Sequence, residues 1–343
     1  MELNKKPIVV TMGDPSGISA EIIFKTWMER KSIEPISFFV IDDIKRLEKI
    51  AKFFKLKIPL QNVKKTSDVK NIFKHSLPVF SLGDNINAKL GEPKPENSKY
   101  IIKSIKKAVN FVSENKASSI VTSPLSKEIL LDAGFKYLGQ TEFISDLVKK
   151  KKGKKFEEIM ILSTTKPSDG GENLRVGLIT THIPLIKVSK SISKNLIIRK
   201  TRSFIKTLQT KWKIKKPKVG ICGLNPHSGE NGLIGKEELS IIIPAINYLS
   251  DKKYNISGPI SADTCFSKSR RVKYDGIICI YHDQGLIPVK TIDFFNSVNI
   301  TGGIPIIRTS PDHGPAFDIA KLFKASNKSF IASLKLASKL SLK

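Results

Sequence analysis

Short runs of consecutive apolar residues alternate along the chain with longer stretches in which apolar positions recur every three or four residues. Strand character marks 7–12 (PIVVTM), 36–42 (ISFFVID), 77–82 (LPVFSL), 118–123 (SSIVTS) and 158–164 (EIMILST). It recurs at 175–181 (RVGLITT), 218–224 (KVGICGL), 275–281 (DGIICIY) and 299–310 (NITGGIPIIRTS). Between them lie amphipathic helices. Over 16–30, Ile18, Ile22, Ile23 and Trp27 share one helical face, and over 96–115 the stripe is Tyr100, Ile101, Ile105, Val109 and Val112. Such alternation predicts an α/β fold with a mainly parallel or mixed sheet. No solenoid repeat is evident.

At 343 residues the chain has room for one large α/β domain or two α/β/α lobes with a cleft between them. The two-lobe reading divides it discontinuously, 1–125 with 300–343 forming one lobe and 126–299 the other. The lysine-rich stretch 149–157 reads as a charged surface connection, and 166–175 (KPSDGGENLR) as a hairpin-like turn.

Composition narrows the class. The net charge of +28 invites a nucleic-acid reading, but the excess is mostly lysine spread along the chain, without aromatic interleaving. The expectation is therefore no nucleic-acid partner, with the positive field drawing small anions inward. No apolar run approaches the roughly 18–20 residues that span a bilayer, so no membrane association is expected. The opening residues lack a secretory pattern, and a cytoplasmic location is expected. Cys222, Cys265 and Cys279 form no CxxC pattern and, being odd in number, no fully paired framework. They are expected to be free, with Cys222 and Cys279 buried in strands.

Three histidines occupy equivalent places. His182, His227 and His282 each follow a strand run and open a polar turn, at spacings of 45 and 55 residues. Carboxyl ends of strands are where open α/β sheets bind ligands, and three imidazoles there suit a divalent metal with positions left for substrate. Asp263 and Asp283 are candidate outer carboxylates. Singly, each histidine reads more readily as a structural residue than as a ligand. His75 has no such company, and His313 sits in a glycine turn.

Other polar groups also follow strands. Gly13-Asp14-Pro15-Ser16-Gly17 is neither GxGxxG nor a Walker loop, and reads either as a tight strand-to-helix turn or as an anion loop. Thr122 to Lys127 and Gly139 to Glu142 offer hydroxyls, an amide and a lysine; Thr141 is equally a helix cap, and Lys127 is a candidate acid or base. Lys290, Asn299 and Arg308 supply two cations and an amide, the parts of a phosphate or carboxylate clamp.

In order and spacing, TMGDPSGISAE, ENSKYIIKSI, TSPLSKE, THIPL, GLNPHSGENGLIGKEE, ADTCF, YHDQGLIPVK and VNITGGIPIIRTSPDHG resemble the 4-hydroxythreonine-4-phosphate dehydrogenase family of pyridoxal phosphate biosynthesis. The resemblance covers about residues 7–335. It implies an isocitrate/isopropylmalate dehydrogenase-like fold and a homodimer whose subunits share each active site. It implies His182, His227 and His282 as metal ligands drawn from both chains, with the dimer interface in the 126–299 lobe. Substrate contacts fall to Gln140, Thr141, Lys290, Asn299 and Arg308. The cofactor, NAD or NADP, would lie near Gly302 to Arg308 and Asp312 to Gly314.

The implied reaction is oxidation of 4-phosphohydroxy-L-threonine to 2-amino-3-oxo-4-phosphooxybutanoate, which decarboxylates to 3-amino-2-oxopropyl phosphate. A divalent metal (zinc, magnesium, manganese or cobalt) would assist it. One departure stands out: Gln140 occupies the place of the family's usual histidine, and glutamine carries neither charge nor a transferable proton. That keeps open a paralogue oxidising another phosphorylated hydroxy acid, such as threonate or erythronate 4-phosphate.

Overall fold

The computed structural model describes residues 6–137, 139–164, 167–172 and 174–342. In chain order its strands are β1 (Ile8–Thr11), β2 (Phe38–Asp42), β3 (Leu60–Asn62), β4 (Leu77–Ser81), β5 (Ile120–Val121) and β6 (Ile159–Thr164). They continue with β7 (Leu174–Leu178), β8 (Lys218–Cys222), β9 (Asn255–Ile260), β10 (Gly276–Cys279), β11 (Val298–Gly302) and β12 (Arg308–Pro311). The α/β expectation holds. The chain divides into a terminal unit, Met1–Lys154 with Ile306–Lys343, and a central unit, Lys155–Pro305.

These boundaries differ from 125/126 and 299/300, for local reasons. Residues after 126 form the helices Lys127–Asp132 and Gln140–Lys152, and the second packs on the helix Ser98–Ser113 of the terminal unit. Residues 300–302 stay in the central unit because β11 pairs with β6.

In the terminal unit the order is β3-β4-β2-β1-β5-β12, and every pairing is parallel. Successive side chains of β2 serve opposite faces, as a strand's period of two requires. Phe38 meets Phe73 and Phe330 on one face, while Phe39 meets Phe111 of the helix Ser98–Ser113 on the other. Both rings are fully buried, each stabilising the fold by about 1.5–3 kcal/mol.

The Gly13–Gly17 loop is a structural turn. Gly13 has φ +71°, and a Cβ there would meet the Pro124 carbonyl oxygen at 2.6 Å. Asp14 N–H donates to Pro124 O, Asp14 Oδ1 accepts from Ser16 N–H, and Arg46 Nη1 donates to Pro15 O. Burial raises the Asp14 carboxyl pKa, against the opposing pull of Ser16 N–H and Arg46. The loop is buried throughout and its groups are spent on the chain itself, which removes the anion-loop reading.

In the central unit the order is β11-β6-β7-β10-β8-β9. β6 runs antiparallel to β11 and β7, whereas β7, β10, β8 and β9 are mutually parallel along the sheet. The single strand expected over 299–310 is therefore two, β11 and β12. Gly303, at φ +77°, packs so tightly on Glu157 and Ser203 that a side chain has no room, and Pro305 follows with no N–H for a ladder.

The lysine-rich stretch is also corrected. Lys149–Lys152 form the last turn of the helix Gln140–Lys152, which ends at left-handed Gly153. Cations there complement the helix dipole. The turn expected over 166–175 lies partly outside the described residues; Leu174 and Arg175 belong to β7.

All three cysteines are free and buried. Cys222 Sγ lies 3.7 Å from Cys265 Sγ and 4.0 Å from Cys279 Sγ; Cys265 draws the Cys222 pKa down, but Cys279 and burial outweigh it and raise it, while Cys222 and burial raise that of Cys265. Among the described residues, no helix is long and apolar enough to cross a membrane.

Candidate active site

The three histidine loops leave neighbouring parallel strands of the central unit, in the order β7, β10, β8. The histidines sit farther along than the first loop residue: Leu178, Cys279 and Cys222 end the strands that precede His182, His282 and His227. His282 is the first residue of the helix His282–Ile292, not part of a turn. Its ring lies 5.4 Å from that of His182, centroid to centroid. His282 Nδ1 is 2.6 Å from Asp283 Oδ1, so a proton on Nδ1 leaves Nε2 with its lone pair free.

His227 stands in an unusual turn. From His227 to Asn231 five consecutive residues have positive φ: 51°, 54°, 82°, 42° and 54°. Four are not glycine, and left-handed backbone costs each of these about 1–2 kcal/mol. Strain of this kind persists only where its surroundings fix it. Here Glu238, 1% exposed, accepts at Oε1 from Leu224 N–H (2.7 Å) and Asn225 N–H (2.8 Å), and at Oε2 from Asn225 Nδ2 (2.8 Å). Gln284 adds a link between loops, accepting from Ile280 N–H and donating to Gly223 O, both at 2.7 Å. Thr180 Oγ1 donates to Ile280 O at 2.8 Å.

Sequence reasoning missed Glu238 and Gln284. An acid in register with Ile242, Ala245 and Leu249 on a buried helical stripe was the available signal for Glu238. Gln284 left none, since its bond to Gly223 reaches another loop.

Among the described residues of one chain, no group of three or more His, Cys, Asp or Glu side chains is arranged to hold a metal. The central unit gathers His182 and His282 and leaves the set open. Asp263 lies exposed at the start of the short helix Ala262–Cys265. Lys290, two turns along from His282, has its Nζ 5.8 Å from the Phe294 ring. Asn299, in β11, presents a buried Oδ1 that has no hydrogen-bond partner.

The terminal unit gathers a second set. β12 pairs with β5 so that Arg308 lies beside Ile120, which brings its guanidinium to Thr122. Arg308 is 2% exposed; Nε and Nη2 donate to Thr122 Oγ1 at 3.1 and 2.6 Å, and Nη1 reaches Thr141 Oγ1 at 3.5 Å. Burial lowers the Arg308 pKa to about 10, with Glu142 opposing the fall, so the charge is complete at neutral pH.

Gln140 and Thr141 open the helix Gln140–Lys152, and the Gln140 Oε1 and Glu142 Oε2 atoms are buried without a hydrogen-bond partner among the described residues. Lys127 opens the helix Lys127–Asp132, capped by Ser126. The residue is solvent-accessible, yet crowding around its ammonium lowers the pKa, with Glu142 pulling it back up.

Of the two cofactor segments, Gly302 is packed on Ile159 and Ile161, and Gly303 on Glu157, so neither position has room for a side chain. Gly314 is open, and beside it His313 Nε2 is buried without a partner. His75 is exposed and joins neither set.

A parallel α/β scaffold with hydroxyl, guanidinium and imidazole groups at its strand ends defines an enzyme of the dehydrogenase-like α/β class. The family model described as "Pyridoxal phosphate biosynthetic protein PdxA" matches residues 34–337, and the chain belongs to that family. It is 38% identical to a 4-hydroxythreonine-4-phosphate dehydrogenase of Zymomonas mobilis, over 97% of this chain and 95% of that protein. A crystal structure of the Klebsiella pneumoniae 4-hydroxythreonine-4-phosphate dehydrogenase is similar with a TM-score of 0.83 at 33% identity, covering 98% of this chain and 100% of that one. A terephthalate 1,2-cis-dihydrodiol dehydrogenase of Burkholderia xenovorans shares the fold, with a TM-score of 0.61 at 21% identity.

Proposed function

We propose that this chain oxidises 4-phosphohydroxy-L-threonine with NAD or NADP and releases the decarboxylated amino ketone phosphate. Family membership and the names of its relatives support the reaction, and the observation that carries it here is the Arg308 corner. A buried guanidinium fixed by Thr122 and Thr141, with Gln140 beside it, is preorganised for the anionic end of a phosphorylated substrate. Lys290 and Asn299 are further proposed substrate contacts. The unpartnered Asn299 Oδ1 is an acceptor suited to a substrate hydroxyl or ammonium.

His182 and His282 fit a divalent ion by donor chemistry, being two adjacent imidazoles of which one is oriented by Asp283. His227 is the proposed third ligand, supplied by a second copy of the chain in a homodimer. Exposed Leu185, Ile186, Ile287, Phe294 and Phe295 of the central unit support such an interface. A divalent ion supplies polarisation of the substrate alcohol and the later ketone, and the nicotinamide supplies the hydride acceptor. The open turn at Asp312–Gly314, with the unpartnered His313 Nε2, is the proposed cofactor contact.

Lys127 is the proposed proton-transfer group. Shielding of its ammonium brings deprotonation closer to neutral pH, which favours exchange with the substrate. Asp263 keeps only a proposed supporting place near this edge.

One observation favours a second reading. The neutral amide of Gln140 accepts a hydrogen bond but transfers no proton, which suits a phosphorylated hydroxy acid as substrate. Purified protein with metal, NAD or NADP and 4-phosphohydroxy-L-threonine should produce reduced cofactor absorbance. Turnover of threonate or erythronate 4-phosphate in its place would select the second reading. Turnover of neither would remove both.

A further inference from the structure

The links that hold the left-handed turn at His227–Asn231 have no role in the reaction so far described. Glu238 sits inside the loop like a plug: Gly223 and Gly229 pass so close that a Cβ would meet Glu238 Oε1 at 3.1 Å and Oε2 at 2.6 Å. Both oxygens are spent on Leu224 and Asn225. Asn225 Nδ2 also donates to Glu237 Oε2 at 2.9 Å, so the residue two before His227 is clamped by both acids.

From this loop the bonds run on across the strand ends. Gly223 O accepts from Gln284 Nε2; Gln284 Oε1 accepts from Ile280 N–H; and Ile280 O accepts from Thr180 Oγ1. The series starts two residues before His182, passes two residues to either side of His282, and ends at the base of the His227 turn. Each member is buried or half-buried, so water competes weakly for these bonds.

We propose that Glu238 and Gln284 are positioning residues: Glu238 fixes the His227 turn that the chain presents to the metal site of a second copy, and Gln284 ties the base of that turn to the start of the His282 helix, so that both tune metal affinity without touching the metal. This rests on the imidazole reading above. It differs from a purely structural role because a brace that only maintained the fold would alter stability, not the coordination geometry of bound metal.

The test titrates the metal-free full-length protein with Co²⁺ alone, reading affinity by calorimetry and ligand geometry by the visible absorption of bound cobalt. Hydrogen exchange at the amides of 224–231 is followed in parallel. Glu238→Ala should weaken Co²⁺ binding by about 10- to 100-fold, shift the cobalt spectrum and expose the 224 and 225 amides. Glu238→Gln, which keeps one acceptor oxygen, should recover part of each effect. Gln284→Leu should weaken binding within the same range while leaving the 224 and 225 amides protected, because Glu238 remains.

If Glu238→Ala does not fold, Gln284→Leu and Glu238→Gln decide. Folded variants with wild-type cobalt affinity and spectrum overturn the positioning role alone. A wild-type protein that takes up no cobalt overturns the imidazole reading and this proposal with it.

Discussion

The Arg308 corner and the histidine edge solve the problem of presenting charge in opposite ways. In the terminal unit one guanidinium is buried and its donors already engage Thr122 and Thr141, so the corner is complete before any ligand arrives. In the central unit His182 and His227 are exposed and His282 is half-buried, and no chain alone gathers three donors among its described residues. The contrast teaches that the two halves of the proposed chemistry depend on different things. On the proposed reading, anion binding depends on the local fold, and metal binding on loop placement and a second copy.

Substitutions test that division, beginning with the largest effect. His282→Ala should reduce turnover by about 10³-fold or more, since loss of a metal ligand removes several kcal/mol of charge stabilisation. Thermal stability should barely change, because the ring is not a core element. A large loss of stability with metal uptake intact would break the comparison from the central side.

Arg308→Met should lower kcat/KM by about 10²-fold, mainly through KM, with cobalt affinity unaltered. An unchanged KM for the phosphorylated substrate would show that the anion binds elsewhere. Gln140→His should change the ratio of kcat/KM between the amino substrate and the hydroxy acids by no more than about tenfold, a shift worth roughly 1–2 kcal/mol. Paired kinetics on the two substrate types read that ratio directly.

The smallest effect concerns pH. The Arg271 guanidinium beside Asp169 holds its carboxyl down from an ordinary 3.8 to about 2. Because the folded value lies below the unfolded one, the pair stabilises the central unit above about pH 4 and loses that contribution as pH falls from there towards 2. Partial exposure keeps it below about 1 kcal/mol. Urea melts of the wild type and Asp169→Asn should therefore differ slightly at pH 7 and converge near pH 2; a constant difference would show that the ion pair is not its source.

Much of this was legible in the sequence where buried strands carry continuous apolar runs. Runs such as SFFVID and DGIICIY place β2 and β10 directly, because fully buried parallel strands need Val, Ile and Phe on both faces. β3 and β9 were not foreseen, since both are largely solvent-exposed edge strands with mixed polar sequence. The histidines were found at the correct sheet edge but several residues too early in their loops. Strand length depends on pairing with neighbours, which local pattern does not encode.

Arg308 was visible because a guanidinium inside IPIIRTS demands a partner. Glu238 and Gln284 were not, as Glu238 bonds to Asn225 13 residues away and Gln284 to Gly223 61 residues away.

The buried cysteine trio gives the central unit a built-in clock. Only a thiolate reacts with an alkylating reagent; the intact structure buries all three thiols and holds Cys222 and Cys265 back from ionising. Labelling with iodoacetamide thus proceeds no faster than the sheet parts around β8 and β10. With no thiol in the terminal unit, the mass added over time reports the breathing of one half of the molecule and is blind to the other.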